Sequence, residues 1–202
     1  MSRKLTSERI VVATHNKGKL EEFAELLKPY GVDAVSAGVL GLAEPEETEN
    51  SFQGNARIKA VSASKGSGLI VIADDSGLCV EALNGDPGVY TADWAGPNRD
   101  FSLAMRLVEE KLKVAGAVTP EQRRAAFVCI LCVMWPDGEE RLYEGRAAGH
   151  LVWPPRGKLG HGYDPVFVPD GESLTFAEME NAGKNLISHR GRALEKLVRD
   201  LF

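Results

Sequence analysis

Apolar residues along this chain fall into two alternating kinds of segment: short β-branched runs, and longer stretches where they recur every three or four positions. The first run, RIVVAT (residues 9–14), reads as a strand. It is followed by Leu20, Phe23, Leu26, Leu27 and Tyr30, the spacing of an amphipathic helix. VDAVSA (32–37) predicts a second short strand, and a helix is expected from about Ser51 to Ser64 beyond the acidic loop EPEETEN (44–50). On that helix Ser51, Asn55 and Lys59 share one polar face, leaving Phe52, Ile58 and Ala63 for the core. GLIVIADD (68–75) is a continuous apolar run that ends in two aspartates, as a buried strand would. Phe101, Ala104, Met105, Val108 and Leu112 mark another helix, and AAFVCILCVMW, PDG and ERLYEGRAAGHLV (125–152) read as a long hairpin. The chain closes with SHRGRALEKLVRDLF (188–202), where Leu194, Leu197, Val198 and Leu201 form a buried stripe and Ser188 is the expected N-cap. This alternation predicts an α/β protein with a mixed sheet and flanking helices, built as one domain over residues 1–202.

Length and charge narrow what such a protein can serve. With 202 residues, 44% of them hydrophobic, the chain can bury a sizeable core. No apolar run reaches the length of a membrane span and the first residues lack a signal-peptide core, so the expected location is the cytoplasm. Three cysteines fit a reducing compartment. Cys129 and Cys132 form a C-x-x-C, but on a buried strand positions three apart point to opposite faces, which favours packing over metal or redox chemistry. The net charge of −5 lacks the basic footprint of a nonspecific nucleic-acid binder, so any affinity for an anion must be local.

Five polar clusters interrupt the pattern. THNKGK (14–19) crowds Thr14, His15, Asn16, Lys17, Gly18 and Lys19 onto the strand-to-helix junction, where free N–H groups and the helix dipole favour an anion such as phosphate. It is neither a P-loop nor a dinucleotide fingerprint, and a solvated loop with a helix cap would look similar. The second cluster joins Glu46 and Glu47 to the stripe through Lys59, which also reads as a solvated helix face. The third is Asp74, Asp75 and Ser76, with both aspartates at the carboxyl end of a strand, where ligands collect in open α/β sheets. Adjacent carboxylates there call for a cation, and Mg2+ suits them, although turn chemistry would also explain D-D-S-G. GHGYDPVF (160–167) and SHRG (188–191) supply rings flanked by glycine and an arginine at a helix start, suited to a base and its carbonyls.

Taken together, ATHNKGK, EETENSFQGNARIKA, ADDSGL, PGVYTADWAG, GHGYDP and SHRGRAL resemble, in order and over almost the whole chain, the inosine/xanthosine triphosphate pyrophosphatase (Ham1-like) family. The resemblance implies Mg2+-dependent hydrolysis of noncanonical purine nucleoside triphosphates (ITP, dITP, XTP) to monophosphate and pyrophosphate. It also implies a homodimer of two-lobed, mixed-sheet subunits around a central substrate cleft, with no nucleic-acid or membrane partner. Carried over by residue, it assigns Thr14, Asn16, Lys19 and their neighbours, with Lys59, to the triphosphate. Glu46 or Glu47, Asp74 and Asp75 fall to the metal, with Asp75 also as general base, and Ser76 to a substrate contact. His161, Gly162, Tyr163, Asp164, Lys184, His189 and Arg190 fall to the base pocket.

The sequence departs from the family pattern twice. His161 stands where phenylalanine is usual; an imidazole stacks too, and adds a hydrogen-bonding ring nitrogen. Asp93 stands where arginine is frequent, which takes a basic contact away from that loop. Two other readings fit parts of the pattern: a Maf-like pyrophosphatase of modified nucleotides, and a non-catalytic nucleotide-binding module. A pure anion binder, however, gains nothing from four carboxylates near phosphate.

Overall fold

The computed structural model describes residues 3–5, 9–15 and 17–202; of Lys17, Gly18, Glu22 and Leu26 only the backbone is described. Six strands form one sheet: β1 (Arg9–Val12), β2 (Asp33–Ser36), β3 (Val71–Val80), β4 (Arg124–Met134), β5 (Glu140–Leu151) and β6 (Phe167–Pro169), in the order β2-β1-β3-β4-β5-β6. β1 runs parallel to β2 and β3, while β5 and β6 are antiparallel, so the sheet is mixed as the pattern predicts. The helices are α1 (Lys17–Leu27), α2 (Phe52–Ser67), α3 (Phe101–Val114), α4 (Asn181–Ile187) and α5 (His189–Leu201), with short 3-10 turns between. None is long and apolar enough to cross a membrane among the described residues.

The chain divides into two compact units. The first comprises residues 1–75, 130–144 and 193–202, and the second residues 76–129 and 145–192. In the first, small residues decide the packing: Ala56, Ala60 and Ala63 of α2 lie against Val11, Val71, Ala73, Ile130, Cys132 and Met134. Ala63 lies in the expected core stripe and Phe52 packs against it, whereas Ile58 is corrected to a half-buried position outside the cluster, and the alanines let the helix approach the strands closely. Tyr30, expected on the apolar stripe of α1, is instead exposed in a 3-10 turn and packs against Phe202. In the second unit Met105, Val108 and Leu112 of α3 join Phe127, Phe167, Phe176 and Tyr163 in an aromatic core.

The caps follow local chemistry. Ser51 Oγ accepts from Gly54 N–H at 3.1 Å at the start of α2, and Asp100 caps α3. Ser188 Oγ accepts from Gly191 N–H at 3.0 Å, confirming it as the cap of α5. Cys79, Cys129 and Cys132 are free thiols, the last two buried. Burial pushes the Cys132 thiol up to about 12, so it packs as an apolar side chain rather than serving as a thiolate.

The aspartates differ from expectation in one respect. β3 does not end at Asp75 but continues to Val80, so Asp74 and Asp75 lie mid-strand. The parallel pairing with β1, however, reaches only Ile72. The two carboxylates therefore still lie just past the carboxyl end of the parallel ladder.

Candidate active site

Strand alternation gives the two adjacent aspartates separate neighbourhoods. Val71, Ala73 and Asp75 share the face packed by α2, and Asp74 points the other way. Asp74, only 2% exposed, accepts from Lys19 Nζ of α1 at 2.8 and 3.0 Å. Asp75 is met by Lys59, one turn beyond Asn55 on α2. Lys59 Nζ donates to Glu47 Oε1 at 2.8 Å and to Asp75 Oδ1 at 3.3 Å.

Asn55 and Lys59 of the polar stripe are thus buried rather than solvated, while Ser51 at the N-cap is exposed. Asn55 Oδ1 accepts from Glu49 N–H at 3.0 Å, which ties the acidic loop to the first turn of the helix and brings Glu47 within reach of Lys59. Both glutamates are exposed, and among the described residues it is Glu47, not Glu46, whose carboxylate meets Lys59. Of the two candidate glutamates, Glu47 is the one that joins the cluster.

The charges here do not balance locally. Asp75 Oδ2 is buried with no hydrogen-bond partner among the described residues, and burial, opposed by Lys59 but reinforced by Glu47 and Asp74, raises the Asp75 carboxyl to about 6. Burial works against the charge on Lys59, yet Asp75, Asp74 and Glu47 together hold its pKa above the ordinary lysine value. An orphaned carboxylate oxygen beside a second carboxylate is a hard-oxygen donor set that suits Mg2+. Among the described residues no three His, Cys, Asp or Glu are grouped to hold a metal alone. The donors fit an ion whose shell is completed by water and phosphate oxygens.

Around α1, Thr14 is buried, and its N–H donates to Val12 O at 2.8 Å. His15 is exposed, with Nε2 3.0 Å from Leu42 O. Lys17, Gly18 and Lys19 form the first turn of α1, and Asn16 lies outside the described residues. Ser76 follows Asp75 in β3 and is half-buried.

The second unit holds the other candidates. Asp164 opens a 3-10 turn, and its Oδ2 accepts from Lys184 Nζ at 2.6 Å and from His161 N–H at 2.9 Å. Gly160 allows this: at φ +71° a Cβ would stand 2.1 Å from Asp164 Oδ2. His161 itself is exposed and Gly162 half-buried. Tyr163 is 1% exposed, packed edge-on to Phe101, with its hydroxyl donating to Thr91 O at 3.1 Å. Its ring belongs to the core and anchors the loop. His189 and Arg190 are buried at the start of α5, where His189 stacks on Phe127 with centroids 5.0 Å apart. Lys184 Nζ lies 5.5 Å over the Phe176 ring. Neither Phe127 nor Phe176 stands in a recognisable motif. Both come from core segments, so only the fold shows that they support polar residues.

The Ham1 family profile matches residues 10–200. The dITP/XTP pyrophosphatase of Ruegeria pomeroyi is 53% identical, with 100% of this chain and 99% of that protein covered. The dITP/XTP pyrophosphatase of Rhodopseudomonas palustris is 55% identical over 98% of this chain and 97% of its own. Among solved structures, a HAM1 protein from Coxiella burnetii superposes with a TM-score of 0.88 at 38% identity, covering 95% of this chain and 96% of that one. By sequence along its whole length and by fold, this chain belongs to the Ham1 family.

Proposed function

We propose that this chain hydrolyses noncanonical purine nucleoside triphosphates, namely dITP, XTP and ITP, to the monophosphate and pyrophosphate, and so clears them from the nucleotide pool. The observation that carries the reading is identity above one half, along the full chain, with dITP/XTP pyrophosphatases. The geometry supports it, since a buried Lys59, a half-buried Lys19 and a surplus of carboxylate charge suit a metal-bound polyphosphate.

In this reading the first unit binds the triphosphate. Lys19, Lys59, Thr14 and the amides opening α1 take phosphate oxygens. Asp75, with Glu47 and Asp74 nearby, would hold Mg2+, which when bound would supply positive charge to the phosphate oxygens. Asp75 orients a water and accepts its proton as the water oxygen bonds to phosphorus and the α–β anhydride bond breaks. Pyrophosphate leaves with charge that Lys19 and Lys59 offset.

The second unit supplies the base contacts. Lys184, His189 and Arg190 are donors, and a donor facing the 6-position accepts a keto oxygen and disfavours the amino group of adenine. A homodimer and a cytoplasmic location complete the reading; three free thiols and a net charge of −5 are consistent with a reduced compartment and no nucleic-acid partner.

The test is pyrophosphate release from dITP, XTP, ITP, GTP, ATP and dTTP, with Mg2+ or with EDTA. Rapid release from the first three, at least about 10²-fold slower from ATP and dTTP and abolished by EDTA, is the expected result, with GTP reporting whether the 2-amino group is also read. Equal hydrolysis across the panel would overturn it. Preference for methylated or pyrimidine nucleotides would favour a Maf-like enzyme, and binding without product a non-catalytic module.

A further inference from the structure

Lys59 occupies an unusual position. Its ammonium lies within hydrogen-bond distance of two carboxylates, Glu47 and Asp75, and its side chain is almost wholly buried. Those two groups are also among the carboxylates we assign to the metal, so Lys59 and a divalent ion draw on the same oxygens. Two cations a few ångströms apart repel strongly at the low effective dielectric of a buried site. A lysine that only gripped phosphate would need no carboxylate partners of its own.

We propose that Lys59 is a resident counter-cation for Glu47 and Asp75 that keeps a divalent metal from binding tightly ahead of nucleotide. The arriving triphosphate gives the ammonium new anionic partners, and the carboxylates then turn to the metal that enters with it. Asn55 maintains the arrangement by holding Glu49, and with it the acidic loop, against α2. Because one oxygen of Asp75 has no partner among the described residues, Lys59 offsets the carboxylate charge only in part. The site therefore keeps an affinity for metal that nucleotide can release. This inference rests on the metal reading above.

The test is binding of Mn2+ alone, followed by electron paramagnetic resonance of the free ion, to wild type, Lys59→Met and Lys59→Arg, with melting temperatures in EDTA and in Mn2+. Lys59→Met is expected to bind Mn2+ roughly tenfold or more tightly than wild type, and to gain more in melting temperature from Mn2+. Lys59→Arg keeps the charge and should stay close to wild type. Equal or weaker Mn2+ binding by Lys59→Met would overturn the proposal.

Should Lys59→Met not fold, Glu47→Gln provides the second arm. It removes one carboxylate from an over-negative site, so it should melt in EDTA no lower than wild type while losing Mn2+ affinity. A lower melting temperature with unchanged Mn2+ binding would contradict the proposal. If the metal reading itself fails, no variant binds Mn2+ and wild-type turnover ignores EDTA. If only the inference fails, EDTA stops wild-type turnover while Lys59→Met binds Mn2+ no better than wild type.

Discussion

Lys59 and Lys184 are both buried, both on helices, and both meet an aspartate, yet their surroundings differ. Lys184 has one carboxylate, and the Oδ2 of Asp164 is shared between that ammonium and the His161 N–H. Lys59 has two carboxylates, a third in Asp74 close enough to act on its charge, and an oxygen of Asp75 left over. The first arrangement is closed and fixes a loop. The second is open and invites a cation and the anion that accompanies it. In the proposed reading, charge stoichiometry more than residue type separates the cluster assigned to the polyphosphate from the one assigned to a neutral base.

Breaking the open site should have the largest effect. Asp75→Asn is expected to reduce turnover by roughly 10²- to 10⁴-fold, the range for a positioned base, with the fold intact by circular dichroism. Near-normal turnover would remove Asp75 from the chemistry. Breaking the closed site should act on stability first. Asp164→Asn strands the buried Lys184 ammonium and costs about 3–5 kcal/mol in urea unfolding. A loss below about 1 kcal/mol would mean that the pair contributes little to holding the loop.

A pH series sharpens the contrast. The Asp75 carboxyl rises from its ordinary value to about 6 on folding, so its protonated form favours the native state. That contribution is complete below about pH 4 and is lost as pH climbs through 6. In chelator, wild type should therefore gain roughly 2 kcal/mol on Asp75→Asn as pH falls from 7 to 4. A pH-independent difference would contradict the burial argument. The smallest effect belongs to Cys132→Ala, which should cost about 1 kcal/mol of stability and leave turnover unchanged. Lost turnover would revive a chemical role for the C-x-x-C.

Much of the frame was legible in the residue pattern: the opening strand and helix, the long hairpin, the stripe of α3 and the Ser188 cap all follow from periodicity and capping chemistry. What escaped depended on partners distant in sequence. Asp74, Asp75, Ser76 and Gly77 are weak strand formers, so β3 seemed to end where it continues, held by tertiary pairing. Asn55 and Lys59 read as a solvated face because their partners, Glu49, Glu47 and Asp75, arrive from another loop and strand. Glu46 and Glu47 differ only in which one the Asn55 tether brings to Lys59. Tyr163 reads as a stacking ring in its motif, but Phe101 and the Thr91 carbonyl hold it in the core. The seven residues of α4 carry too short a stripe for periodicity to show.

The division of labour between the two clusters is tested most directly by kcat/KM for XTP and for ATP in wild type, Glu47→Gln and Lys184→Met. The account predicts that Glu47→Gln lowers both values together and preserves their ratio, whereas Lys184→Met narrows the ratio toward one. A collapsed ratio in Glu47→Gln with an intact one in Lys184→Met would contradict it.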